Sequence, residues 1–292
     1  MKFPASVILL VVIFTFSCYN EEHICGGQEH VKYLCGYAEY DPAVQKCDDG
    51  FLLNPCGTVW YKPTFSEYCF EGQVKEKEIY IDSRDGREYK TVVIGTQTWM
   101  AENLNYAAYG SKCGGTGGSV YSSTLFYDEN TEICDKYGRL YDWATAMTVC
   151  PDGWRLPSDD DWTLLTNYAG GDSVAGRKLK ATSDWILSDV QCVPFGRAPL
   201  PGADYISCGI SGTDDYGFSA LPGGHGSSHL NRYYGFLFGC WWSSTTEYSY
   251  PNSARYLSID YESSYTNRRF RIGREDFLSV RCVKDFYNWE IL

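Results

Sequence analysis

The sequence has 292 residues, with 37 acidic against 25 basic residues and a formal net charge of −12. This charge repels phosphate backbones and anionic lipid headgroups, so it argues against nucleic acid as a partner. Aromatic residues make up 16% of the chain, and Gly occurs 29 times against 3 Met, a composition typical of a β-rich, loop-rich extracellular protein with few long helices.

The N-terminal segment indicates export. An apolar run from Val7 to Phe16 follows a basic residue and is itself followed by Ser17 and Cys18. The run is too short for a comfortable membrane span, so residues 1–18 are predicted to be a signal peptide. We expect lipoprotein processing with acylation of Cys18, which would tether the protein at the outer membrane or cell surface. Ordinary cleavage after Ser17 is the alternative, because the usual Leu three positions before the Cys is missing.

Residues 25 to 73 contain an internal repeat. A pattern of Cys-Gly, Tyr, Pro, Cys and Gly begins at Cys35 and recurs at Cys56. Each repeat is too small to bury much of a core, so we expect a disulfide within each repeat to stabilise it. The predicted disulfides are Cys35–Cys47 and Cys56–Cys69. Residues 19–73 are thus predicted to be a Cys-rich repeat module, and the charged stretch 74–78 a linker.

The other cysteines also favour structural bridges. The chain has 13 cysteines, and twelve are left when Cys18, the predicted acylation site, is set aside. This even number predicts up to six disulfides in an exported chain. Zinc is disfavoured, because no Cys pair has two-residue spacing and the four His stand away from any Cys pair. Cys113–Cys134 would close a Gly-rich loop, and Cys192–Cys208 would pin the irregular stretch 186–216.

After residue 78 the apolar residues alternate. The segment from Ile79 to Ile94 predicts a β-hairpin with its turn at Asp85-Gly86. Trp99 and Leu104 are expected to pack on this sheet.

Short helices are predicted from Asp142 and over residues 175–185. Asp142 is a suitable N-cap for a helix that would place Trp143, Ala146 and Met147 on one side. The stretch 175–185 predicts a short helix with Leu179 and Trp185 facing inward.

The stretch "CPDGWRLPSDDDW" carries three consecutive aspartates, Asp159 to Asp161. An acid or metal cluster would need their side chains to converge, but successive helix positions fan out by about 100°. Ser158 and Asp161 instead have the spacing of a capping box, and acidic residues suit the first turn of a helix. The sequence therefore predicts a helix start here.

The C-terminal third shows strand patterns and one dense aromatic stretch. Leu257, Ile259 and Tyr261 alternate as one buried strand face. In "HGSSHLNRYYGFLFGCWW" the aromatics are too many for all to face a core while the chain turns so often, and exposed aromatic platforms stack on sugar rings. The candidate ligand surface comprises Tyr233, Tyr234, Phe236, Trp241, Trp242, Arg269 and Arg271.

Both parts of this surface have an alternative interpretation. "CWWSS" also fits a central strand with one Trp on each side. The basic run around Arg269 and Arg271 would hold acidic glycans or partners, or it would alternate on an exposed strand paired to local Asp and Glu.

Six ordered motifs resemble one family. "YKTVVIGTQTWMAENLNY", "GRLYDWATAM", "CPDGWRLPSDDDWTLL", "GFSALPGG", "WWSST" and "SVRCVKD" resemble the Fibrobacter succinogenes major paralogous domain, over about residues 79–285. Residues 286–292 would be a C-terminal tail. More distantly, "GWRLPSDDDW" with a closing "VRC" strand is similar to the C-type lectin-like fold of formylglycine-generating enzymes.

The resemblance implies an α+β fold. We expect a C-type lectin-like domain with two short helices, small twisted antiparallel sheets and long loops, preceded by the disulfide-rich module. Within it, Cys150 is expected to pair with Cys282 on the last strand.

The enzymes' chemistry is not expected to carry over. They need two nearby reactive cysteines, and only Cys240 is close to the matching region. Related iron enzymes need three histidines, and His225 and His229 have no visible third partner. "YPN" at 250–252 lacks the calcium motif of sugar-binding C-type lectins. We therefore expect no cofactor, no metal and no catalytic residue.

The expected function is that of a non-catalytic exported cell-surface protein. It would act as a binding or adhesion module for a polysaccharide or an envelope protein. A structural subunit of the outer envelope is the alternative, and an oxidase of the formylglycine-generating type is less favoured.

Overall fold

A computed structural model describes residues 33–35, 38–40, 46–48, 51–61, 67–114, 124–125, 131–185, 192–193, 206–207, 212–230, 232–235, 237–246, 249–268 and 271–285. The predicted signal peptide, Cys18 and the C-terminal tail lie outside these ranges. The chain divides into two compact units, one of residues 1–63 and 71–73, the other of residues 64–70 and 74–292.

The described strands, in chain order, are β1 Tyr33–Cys35, β2 Ala38–Tyr40, β3 Lys46–Asp48, β4 Phe51–Cys56, β5 Val59–Tyr61, β6 Glu67–Phe70, β7 Gln73–Glu76, β8 Glu78–Ile81, β9 Glu88–Ile94, β10 Gln97–Met100, β11 Thr124–Leu125, β12 Leu140–Tyr141, β13 Trp154–Arg155, β14 Cys192–Val193, β15 Ile206–Ser207, β16 His225–Ser227, β17 Arg232–Tyr234, β18 Phe238–Thr246, β19 Ser253–Asp260, β20 Thr266–Asn267, β21 Arg271–Gly273, β22 Phe277–Ser279 and β23 Val283–Lys284. The described helices are α1 Thr131–Tyr137, α2 Trp143–Ala146, α3 Asp159–Tyr168 and α4 Asp172–Leu179.

The smaller unit contains short antiparallel pairs. Strands β1 and β2 form one sheet, and β3, β4 and β5 form another. Cys47 and Cys56 are disulfide-bonded, as is Cys69 of the larger unit. These bonds suit units too small for a core of their own, and the pairings Cys35–Cys47 and Cys56–Cys69 stay predictions.

The stretch 74–78 is folded, not a linker. It contributes to β7 and β8, and Lys77 is only 7% exposed. The Nζ atom of Lys77 donates a hydrogen bond to the Ser219 hydroxyl at 2.9 Å. Its run of charges suggested solvent exposure, but Lys77 lies between the two strands and its ammonium group is buried against Ser219.

The larger unit contains a five-stranded sheet in the order β13-β23-β10-β9-β8. The predicted hairpin is confirmed: β8 pairs with β9 from Glu78↔Thr91 to Ile81↔Glu88, and Gly86 in the turn has φ +74°. A positive φ suits Gly, because it lacks the Cβ that other residues would bring into a clash.

A second sheet has nine strands among the described residues. Its order is β11-β17-β16-β22-β18-β19-β20, with β12 on β22 and β21 on β19. Strands β14 and β15 form a separate parallel pair, which sets Cys192 opposite Ile206. The predicted bond Cys192–Cys208 stays untested, because Cys208 lies outside the described residues.

The described helices are short, and side chains cap the N-termini of α2 and α3. Ser158 caps α3 and forms a capping box with Asp161, as predicted. Asp142 caps α2 by accepting a hydrogen bond from the Thr145 N–H at 2.9 Å. Met147 was expected on one side of this helix with Trp143 and Ala146, but α2 ends at Ala146 after a single turn and Met147 is 42% exposed.

Two disulfides and a packed core hold the larger unit together. Cys113–Cys134 and Cys150–Cys282 are both present, as named from the sequence. Cys240 is buried and is the free cysteine of the described residues, so the upper limit of six disulfides is not reached.

These elements make the larger unit an α+β structure with more strand than helix. Where the structure describes a helix, none combines the length and apolar character needed to cross a membrane.

Candidate functional site

The two central strands of the large sheet have two different faces. The pairs Trp241↔Leu257 and Gly239↔Ile259 put one face against the apolar core that includes α3 and α4. The pairs Phe238↔Asp260 and Cys240↔Ser258 lie on the opposite face. Since strand side chains alternate, polar groups collect on this second face.

A row of side chains crosses five strands on the second face. His225 of β16 is opposite Leu278 of β22, and Cys240 of β18 is opposite Ser258 of β19, which is opposite Asn267 of β20. The parallel pair of Trp241 with Ser279 sets Cys240 beside Leu278. We call these five residues, from His225 to Asn267, the cross-strand row.

A cavity of about 290 Å³ lies over this row, and we call it the sheet cavity. The flanking side chains are Phe238 and Asp260 on one side and Tyr256 and Ile272 on the other. The nine lining residues are His225, Phe238, Cys240, Tyr256, Ser258, Asp260, Asn267, Ile272 and Leu278.

Burial keeps the thiol and phenol of this cavity uncharged. Burial, with the nearby Asp260, raises the pKa of Cys240 to about 12. Burial, with the nearby Cys240, raises the pKa of Tyr256 to about 12. Both groups are therefore neutral near pH 7, and the Cys240 thiol is a poor nucleophile there.

Burial also raises the pKa of the Asp260 carboxyl, although the Glu262 backbone N–H and Lys180 oppose it. For His225, burial lowers the pKa, which favours the neutral imidazole, and the charge of Asp276 opposes it. Asp260 is thus the single acidic side chain in a lining that is otherwise uncharged at neutral pH.

His225 carries an unpaired polar atom. Its Nδ1 is buried and has no hydrogen-bond partner in the described part of the chain. The ring stacks on Tyr234, with centroids 5.0 Å apart and planes at 17°. Buried polar atoms are normally hydrogen-bonded, so the unpaired Nδ1 is an exception that a bound ligand would remove.

The prediction of an exposed aromatic platform is wrong. Trp241 and Trp242 are fully buried, and Tyr233 is 2% exposed. Trp241 Nε1 donates to Asn103 Oδ1, and Trp242 Nε1 donates to the Tyr141 carbonyl, both at 2.7 Å. The alternative holds: β18 is central, and core residues cover the Trp on each of its faces.

Of the other platform residues, Tyr234 is half-buried and borders the sheet cavity through its stack with His225. Phe236 and Arg269 lie outside the described residues.

The basic run does not line the sheet cavity. Arg271 is exposed and lies over the Tyr250 ring, 3.4 Å from its centroid. Arg274 stacks over Trp143 at 4.2 Å, and Arg268 contacts Asp172 at 2.9 Å. Local pairing therefore accounts for Arg268, while stacking on aromatic rings accounts for the other two.

The three aspartates at the start of α3 diverge. Asp159 pairs with Arg255 at 2.8 Å, Asp161 pairs with Arg155, and Asp160 points to solvent. Across the described ranges, no three His, Cys, Asp or Glu side chains are placed to hold a metal ion. His229 Nε2 lies 2.7 Å from Glu275, and His229 is not among the residues that line the sheet cavity with His225.

Sequence reasoning missed Ser258, Asp260 and Asn267. The signal was present in "ARYLSIDY". There the buried Leu257 and Ile259 alternate with Tyr256, Ser258 and Asp260, which are aromatic or polar. That pattern marks a two-sided strand, but the partners of its polar side depend on strand register.

A second, polar cavity lies near α1. It measures about 80 Å³, and its lining includes Arg87, Glu102 and Asp135. Arg87 and Asp135 already contact each other at 3.2 Å. A space this small suits water better than an organic ligand.

Comparison with known proteins found one family. The model of the Fibrobacter succinogenes major domain matches residues 92–284, a range that contains all nine residues of the sheet cavity. Neither a curated protein nor a solved structure matches the chain.

Proposed function

The chain belongs to the Fibrobacter succinogenes major domain family, and on that premise we propose that it is a non-catalytic exported cell-surface protein that binds a polysaccharide. A protein of the cell envelope is the alternative partner.

The sheet cavity is the observation that carries this proposal. Small-molecule sites are concave, largely apolar and equipped with a few polar groups, and they start at about 300 Å³. The sheet cavity has Phe238, Ile272 and Leu278 as apolar lining beside the polar Asp260 and Asn267. Its floor lies on hydrogen-bonded strands, which hold side chains more rigidly than loops do.

Export is part of the proposal. The apolar run from Val7 to Phe16 supports a signal peptide, and the bonds Cys113–Cys134 and Cys150–Cys282 support an oxidising compartment. We further propose that Cys18 carries the lipid anchor at the outer membrane or cell surface. Radiolabelled palmitate should enter the wild-type chain and not the Cys18→Ala variant, and label that survives this change would contradict the anchor.

A C-type lectin-like fold for the larger unit is also proposed. Strand β13 of "GWRLPSDDDW" pairs with the closing strand β23 through Arg155↔Val283, and Cys150–Cys282 joins the same two regions. Two short helices, α3 and α4, lie along the chain between β13 and the strands of the large sheet that begin at β16. These features support the distant resemblance, and a crystal structure compared with lectin-like domains would test it.

Non-catalysis is supported by the state of Cys240. It is the free thiol of the described residues, and burial raises its pKa. An oxidase of the formylglycine-generating type would need two reactive thiols close together.

A structural role in the envelope is the second candidate. Ile79 and Ile81 are 59% and 58% exposed on β8, which is an edge strand of its sheet. Exposed apolar edges invite pairing with another chain. Cross-linking on intact cells should then recover a larger complex that Ile79→Ser with Ile81→Ser abolishes, and recovery of monomer alone would count against this role.

A binding experiment tests the first candidate. Wild-type protein is applied to a glycan array and to insoluble cellulose, beside Asn267→Ala in the sheet cavity. Asn252→Ala is the matched control, because Asn252 is also exposed and lies in a turn outside the cavity. We expect glycan binding that Asn267→Ala weakens by about fivefold or more and Asn252→Ala leaves unchanged. Blank results on both supports would reject the proposed function.

A further inference from the structure

We infer that the sheet cavity binds one sugar ring that carries no negative charge, through Asp260, Asn267 and His225. This inference rests on the proposed function and names the ligand class of the same site.

The volume fits one ring, not a chain. At about 290 Å³, the cavity lies at the lower limit of small-molecule sites, which begin at about 300 Å³. A longer glycan would therefore place one ring in the cavity and the rest of its chain outside.

The charges around the cavity disfavour an anionic ring. Asp260 is an acid, and no Lys or Arg is among the described residues that line the cavity. Lys180 acts on Asp260 only from a distance, because its Nζ donates to the carbonyls of Tyr261 and Ser263 at 3.2 and 2.9 Å. A second carboxylate beside Asp260 would be repelled, and the net charge of −12 adds to that repulsion.

The polar lining suits hydroxyl groups. Asp260 Oδ1 accepts the Glu262 N–H at 2.8 Å, and within the described residues its Oδ2 accepts no hydrogen bond. The Nδ1 atom of His225 is buried and unpaired, and the Asn267 amide is exposed. A sugar ring presents several hydroxyls that donate and accept, so it can satisfy all three groups, as an apolar ligand cannot.

The apolar lining suits the flat face of the ring. Phe238 and Tyr256 contribute half-buried aromatic rings, and Ile272 contributes an aliphatic wall. Aromatic surfaces of this kind pack against the C–H groups of a sugar while its hydroxyls reach the polar side.

The test is calorimetric titration of the full exported chain with three sets of oligosaccharides. The probes are neutral cello-oligosaccharides, amine-bearing glucosamine oligomers and acidic galacturonate oligomers. We expect the neutral or the amine-bearing set to bind, and the acidic set to bind about tenfold more weakly or not at all.

Asp260→Asn separates the role of charge from that of shape. Because this substitution keeps the shape of the side chain and removes its charge, it should reduce the ratio of the affinity for the preferred set to the affinity for galacturonate about tenfold. Asp152→Asn, at an exposed position outside the cavity, is the matched control. Thermal unfolding of each variant checks that it remains folded.

Nuclear magnetic resonance of His225 gives a second readout. The bound sugar should shift its Nδ1 resonance, which is assigned by its loss in His225→Gln, and leave that of the exposed His229 in place.

The outcomes separate the two proposals. This inference would be overturned if galacturonate bound more tightly than the other sets. It would also be overturned if wild type and Asp260→Asn bound glycans with the same selectivity and the His225 resonance did not shift. Either result would leave the binding function standing. No binding of any set would reject both.

Discussion

Arg155 and Asp161 form a two-point ion pair at the start of α3. Arg155 Nη1 lies 2.5 Å from Asp161 Oδ2, and Nη2 lies 2.8 Å from Oδ1. The same carboxylate accepts the Ser158 N–H at 2.7 Å. Asp161 therefore joins β13 to α3 and completes the capping box at once.

Asp161→Asn should lower the free energy of unfolding by about 2 kcal/mol. It removes a largely buried carboxylate that caps the helix and pairs with Arg155, and the partial exposure of Arg155 keeps the loss below that of a fully buried pair. Urea unfolding measures it. Asp160→Asn in the same turn is the control and should change stability by less than about 0.5 kcal/mol; equal losses would contradict this role.

The stability that Asp161 provides should depend on pH. Burial acts to raise its pKa, but hydrogen bonds from Arg155 and Ser158 outweigh burial and hold the pKa below its ordinary value. The stabilisation is thus present above the ordinary carboxyl pKa and is lost as pH falls through the lower, folded-state value. The difference in the free energy of unfolding between wild type and Asp161→Asn should be constant from roughly pH 5 to 8 and shrink at about pH 4 and below.

The disulfides Cys113–Cys134 and Cys150–Cys282 should differ in how much they stabilise the fold. Cys150–Cys282 spans 132 residues and Cys113–Cys134 spans 21. Since a longer loop loses more chain entropy on closure, removing the longer bridge should cost about 1.6 kcal/mol more. Chemical denaturation of Cys150→Ala with Cys282→Ala, against Cys113→Ala with Cys134→Ala, measures the difference. A larger loss from the shorter bridge would contradict the entropic account.

The Cys240 thiol should be inert in the folded protein. It is buried, and its pKa of about 12 leaves very little thiolate at pH 8. Titration with Ellman's reagent should give equal counts for wild type and Cys240→Ser when folded, and one more thiol for wild type in guanidinium. Rapid reaction of that extra thiol in the native protein would show that the site is open and reactive.

Asn103 should be important for stability. Its Oδ1 accepts hydrogen bonds from Trp241 Nε1 at 2.7 Å and from Arg281 Nη2 at 2.8 Å. Since Arg281 is fully buried, Asn103→Ala would leave part of a buried charge without its acceptor and should cost about 3 kcal/mol.

Asn105→Ala is the matched control for Asn103→Ala. Asn105 is also buried, but its amide donates to the exposed Asp135, so its loss should cost about 1 kcal/mol. Thermal and urea unfolding of both variants decide the order, and a reversed order would contradict it.

Features set by neighbouring residues could be predicted from the sequence. The β8–β9 hairpin follows from alternation around Asp85-Gly86, and the start of α3 follows from the spacing of Ser158 and Asp161. In each case the determining residues lie within one turn or one hairpin. Local propensity and capping therefore carry enough information.

The sheet cavity could not be predicted in the same way. Its lining runs from His225 to Leu278 and depends on the register of six strands. Likewise, two adjacent Trp on β18 must face opposite sides, but only distant elements such as α3 decide that both sides are covered. The aromatic platform hypothesis failed at this step, because burial on each face is a long-range property.

The alternation along β19 divides two tasks between neighbouring residues. Leu257 and Ile259 hold the sheet to the helices, whereas Ser258 and Asp260 face the sheet cavity. A substitution at either of the latter positions changes the wall of the sheet cavity and leaves the helix-packed face of β19 as it is. Under the proposed function, copies of such a domain would differ in the ligands they bind and still share one fold.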